Sequence, residues 1–86
     1  MQQYKIDVLL YVTDGSVKSD CADITFYNQG NTKILLNSSV TINAGQSLSL
    51  SANSNEIDRT IYNYYFITAG VTTPTNKLVI FRKIYV

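Results

Sequence analysis

The chain of 86 residues has no histidine and no tryptophan, one cysteine, one proline and only four glycines. Each shortage excludes something. Without histidine, the usual general base near neutral pH and the commonest transition-metal ligand are both missing. Cys21 alone cannot close an internal disulfide or build a cysteine-rich zinc site, and an unpaired thiol suits synthesis in a reducing cytoplasm. Charge is sparse as well, with seven basic residues against six acidic ones and a net charge of +1. The basic residues are scattered, and the one adjacent pair, Arg82-Lys83, would point to opposite faces of a strand. No nucleic-acid partner is expected, because phosphate binding needs positive charge gathered on one face. No apolar run approaches the ~20 residues of a membrane helix, so no membrane insertion is expected. Met1 and Gln2 lead into a strand-like pattern without the basic and apolar segments of a secretory signal.

What the chain does have is alternation. Tyr4, Ile6, Val8, Leu10 and Val12 share one face of a strand, and Lys5, Asp7, Leu9 and Tyr11 the other. Cys21 to Asn28 places Ala22, Ile24 and Phe26 inward. Ile34 and Leu36, Val40 and Ile42, then Leu48 and Leu50 continue the period of two, and the run Ser47-Leu48-Ser49-Leu50-Ser51 implies one wet face and one dry face. The Asn28-Gln29-Gly30-Asn31 reversal predicts an antiparallel hairpin between the strands on either side of it. Residues 52–59 are polar and read as a surface crossover. Thr60 to Thr68 and Lys77 to Val86 are two further strands, each apolar on both faces. These features predict an all-β fold: residues 1–86 as a single small antiparallel β-sandwich, jelly-roll or immunoglobulin-like, with about seven or eight strands.

Candidate chemistry is thin. Glu56 and Asp58 lie two apart in a polar loop, where turn capping competes with a glycosidase-like pair that would need a substrate-sized cleft. Asp14, Asp20 and Asp23 cluster near a turn but lack the spacing of a calcium loop. Cys21 reads as a small packed hydrophobe. The sequence therefore predicts no enzyme, no catalytic residue, no metal and no cofactor.

Surplus apolar surface is the stronger signal. If the strands at about residues 21–51 put one face in water, the first and last two strands still have apolar residues to cover, and Leu9, Tyr11, Tyr62, Tyr64, Tyr65, Val79, Phe81 and Tyr85 are the expected interface residues. So small a core is often supplemented by oligomerisation. The expected partner is the chain itself, or a larger protein. Seven tyrosines also leave carbohydrate possible as a ligand, with Tyr62, Tyr64 and Tyr65 as an aromatic platform.

The stretches N-Q-G-N-T at 28–32, N-S-S-V-T-I-N-A-G-Q-S-L-S-L-S at 37–51, N-E-I-D at 55–58 and L-V-I-F-R-K-I-Y-V at 78–86 resemble short β-sandwich virion proteins of bacteriophages. The resemblance lies in punctuation and style, and no functional residue is carried over by it. It implies a minor capsid, decoration or vertex component, located in the virion after assembly in the host cytoplasm, with itself or a larger capsid protein as partner. A host glycan- or receptor-binding module on the same kind of particle is the alternative.

Overall fold

Alternation sorts the strands into two layers. The computed structural model describes residues 3–53 and 56–86, so Met1 and Gln2, and Ser54 and Asn55 of the predicted crossover, lie outside the described residues. Among the described residues, eight strands run in order: β1 (Tyr4–Tyr11), β2 (Gly15–Lys18), β3 (Asp23–Asn28), β4 (Lys33–Leu36), β5 (Val40–Ile42), β6 (Ser47–Ser51), β7 (Ile61–Ile67) and β8 (Leu78–Tyr85). One sheet has the order β1-β8-β3-β6 and the other β2-β7-β4-β5. All neighbouring strands are antiparallel. The first strand lies beside the last, and the second beside the seventh. That is the strand order of a jelly roll, the first of the two predicted sandwich types.

The two sheets bury one shared face. Leu9, Ile80, Phe26 and Leu48 form a cross-strand row through the first sheet, with Phe26 and Ile80 fully buried. The second sheet answers with Val17, Tyr62, Tyr64, Phe66, Ile34, Leu36 and Ile42. The Tyr62 ring meets Phe26 edge-on at 5.1 Å, and Tyr11 lies 5.2 Å from Tyr64. Arg82 straps the layers together: from β8 it binds Asp7 of β1 through Nε at 2.9 Å and donates to the carbonyls of Lys18 and Ser19 at the end of β2.

The predicted hairpin at residues 28–31 does not form. β3 pairs with β6 and β8, while β4 pairs with β5 and β7, so this turn carries the chain from one sheet to the other. The reason is long-range. Asn28 is fully buried, and its side-chain amide donates to the carbonyls of Thr32 and Ile42 at 2.6 and 2.9 Å while its oxygen accepts from the Gly30 N–H. Gly30 packs so closely on the segment before β8 that a Cβ there would collide with the Thr75 carbonyl. The consecutive strands that do form a hairpin within one sheet are β4 and β5, joined through Asn37 and Ser38, both at positive φ (50° and 56°). Two such residues in succession match the twist of a tight hairpin.

Candidate interaction surface

The outer face of the first sheet is a grid of cross-strand rows. Tyr4 lies opposite Tyr85. Ile6, Lys83, Asp23 and Ser51 form the next row, then Val8, Phe81, Thr25 and Ser49, then Leu10, Val79, Tyr27 and Ser47. Polarity falls across the grid from one edge to the other. On β6 the outward residues are all serine, and the Thr25 and Ser49 hydroxyls are 2.9 Å apart. On β1 they are Tyr4, Ile6, Val8 and Leu10, each 55–57% exposed, with Val12 beyond the strand end equally so. Side chains of this kind present roughly 150–250 Å² when aromatic and less when aliphatic, so these five and Phe81 together expose on the order of 500 Å². That is near the top of the range for the largest patch on a monomer, about 300–600 Å².

A shallow hollow of about 190 Å³ interrupts this face, lined by Tyr4, Ile6, Asp23, Thr25, Phe81 and Lys83. The Lys83 ammonium sits 4.7 Å from the Tyr4 ring centroid and 5.9 Å from that of Tyr85, and 3.9 Å from the Asp23 carboxylate. Its charge is therefore shared between two rings and one acid, which leaves the surrounding surface close to neutral.

The structure redistributes the residues singled out in the sequence. Phe81, 37% exposed, and Tyr85, half-buried, do lie on this outer face. Val79 shares the face but is buried between Leu10 and Tyr27. Leu9 and Tyr11 turn the other way and pack against the core, so the expectation that they face outward is corrected. Tyr62 and Tyr64 are 8% and 2% exposed and belong to the core. Tyr65 is exposed on the outer face of the second sheet beside Leu35, which dismantles the three-tyrosine platform. The stripe Tyr4, Ile6, Val8, Leu10 and Val12 escapes sequence reasoning because Leu9 and Tyr11 make both faces of β1 plausible. A usable signal is nonetheless present: Arg82 shares parity with Leu78, Ile80 and Ile84, so the inner face of β8 carries a cation. Asp7, the one acid of β1, is the partner such a cation needs.

Asp14, Asp20 and Asp58 are engaged within the scaffold, and Glu56 is exposed. Asp14 accepts from the Phe66 N–H at 2.8 Å. Asp20 lies 3.7 Å from Lys18. Asp58 accepts from the Thr60 N–H at 2.9 Å, the Thr60 hydroxyl at 2.6 Å and the Tyr62 hydroxyl at 2.8 Å. Burial pushes the Asp58 carboxyl up, but the hydrogen bonds from Thr60 and Tyr62 outweigh it and hold the group below its ordinary value. Burial, aided by the bond to Asp58, raises the Tyr62 hydroxyl. Cys21 is fully buried, and burial pushes its thiol up to about 11, so it stays protonated. Among the described residues, no three His, Cys, Asp or Glu side chains converge as a metal site would require. No family model, curated protein or solved structure matches this chain.

Proposed function

We propose that the chain is a structural subunit of a symmetric assembly and meets its neighbours through the outer face formed by β1 and β8. In line with the sequence resemblance, the assembly is a virion, and the chain serves in it as a minor capsid, decoration or vertex component. The observation that supports the reading is the apolar stripe of β1, continued onto β8 by Phe81. A strand needs one apolar face to join a sandwich, and β1 has already met that need with Leu9 and Tyr11. The area exposed, on the order of 500 Å², is more than half of the roughly 800 Å² per partner of a standard interface. A jelly roll by itself supports no particular role, since capsid proteins and lectins both use it.

The test is solution mass by light scattering after size exclusion, for wild type and Phe81→Asp, over a wide concentration range. Phe81 projects from the middle of the face without contributing to the core, so the variant keeps its β circular-dichroism signal. The expected result is a closed oligomer for wild type and a lower mass for Phe81→Asp. Equal masses for the two proteins overturn the reading.

A further inference from the structure

The edge of β1 carries information separate from its outer face. Among the described residues, β1 is eight residues long and pairs on one side only, whereas the other three edges belong to β2, β5 and β6, of four, three and five residues. It has neither proline nor bulge to protect it, and its register with β8 is unbroken from Tyr4 to Tyr11. The direction of its free backbone groups follows from one bond. The Val86 N–H donates to the Gln3 carbonyl at 3.0 Å, which makes Gln3–Val86 a hydrogen-bonded pair. Lys5–Ile84, Asp7–Arg82 and Leu9–Ile80 are then the next such pairs in the register. The N–H and C=O groups of Tyr4, Ile6, Val8 and Leu10 consequently point away from β8, toward the open edge. An antiparallel copy of β1 presents the same even-numbered groups and satisfies them reciprocally.

Charge chooses the register. Lys5 points to the inner side of β1 and, among the described residues, has no ion-pair partner in its own chain. Centred on Asp7, self-pairing sets Asp7 against Asp7 and Lys5 against Leu9. Centred on Val8, it sets Lys5 against Tyr11 and Asp7 against Leu9. Centred on Ile6, it sets each Lys5 opposite an Asp7, whose Oδ2 is engaged by Arg82 while Oδ1 is left to accept. Directly opposed like charges are unfavourable and opposite charges favourable across an antiparallel pair. An inward lysine that would guard this edge against other strands thus becomes a contact with its own copy.

We propose that β1 pairs antiparallel with β1 of a second copy about a two-fold axis at Ile6, joining two four-stranded sheets into one of eight. The two apolar stripes then lie side by side on one continuous face, so this contact adds to the face-mediated assembly rather than competing with it.

Single cysteines test the register. At a hydrogen-bonded antiparallel pair the Cα atoms are ~5.5 Å apart, within disulfide range, so Ile6→Cys gives a covalent dimer under mild oxidation. Val8→Cys and wild type, whose Cys21 is buried, do not. Adding Lys5→Glu to Ile6→Cys sets a carboxylate against Asp7 of the other copy and lowers the crosslink yield severalfold. Failure of Ile6→Cys to link, whatever the protein's mass, or linking of Val8→Cys as readily, overturns the edge contact and leaves the Phe81→Asp result to judge the face separately.

Discussion

The outer face of one sheet carries two opposite surfaces. On β6 every outward side chain is a serine, and on β1 every one is a tyrosine or an aliphatic residue, yet both are edge strands of the same sheet and both send leucine into the same core. The comparison separates what the fold needs from what it does not. Phe26, Ile80, Leu48 and Leu9 hold the layers together in either half. The outward residues are free to be polar, as β6 demonstrates. The apolar choice on β1 is therefore not dictated by the sandwich pattern, which supports the proposed contact there.

Breaking the shared inner face should have the largest effect. Phe26→Ala removes a fully buried ring that touches Tyr62 and should cost about 3–5 kcal/mol, measured by denaturant unfolding. Making β1 resemble β6 sharpens the contrast instead. Ile6→Thr, Val8→Thr and Leu10→Thr together should leave monomer stability within about 1–2 kcal/mol of wild type, since exposed positions each contribute roughly ±0.5 kcal/mol. The same triple variant should lower the oligomer mass. If it unfolds the protein, the outward face of β1 is structural after all.

The smallest effect is expected at the loop that borders β3. Asp58 has a lowered carboxyl value in the folded protein, so its contribution to stability is present above the ordinary aspartate value. That contribution is lost as pH falls from about 4 through the folded value. Asp58→Asn should flatten this acid limb, read from thermal melting between neutral pH and pH 3, and a limb of unchanged steepness would assign acid sensitivity to other carboxylates.

Local pattern makes much of the fold legible. Ser47 to Ser51 alternates so regularly that strand, wet face and dry face all follow from it, and Tyr62, Tyr64 and Phe66 group on one side of β7 by parity alone. What parity cannot do is say which side is in. For β7 and β1 both faces are apolar, and the choice is made by partners far along the chain: Phe26 meeting Tyr62, and Arg82 meeting Asp7. The turn at Asn28 fails as a hairpin for a similar reason. Its residues specify a reversal, but whether the next strand stays in the same sheet is decided by Gly30 lying against Thr75 and by Asn28 reaching the Ile42 carbonyl. The candidate surface inherits both problems, so local pattern places Tyr62 and Tyr64 outward and passes over the β1 stripe.

The pairing of Tyr4 with Tyr85 has a kinetic consequence. Contacts between the two extremes of the strand order close a very long loop, and topologies dominated by such distant pairings fold slowly because loop closure is costly before it is rewarded. Until β1 pairs with β8, the row Val8–Phe81–Thr25 does not exist as a surface. The complete face exists only once β1 and β8 are paired, so assembly of the kind proposed would select completed subunits.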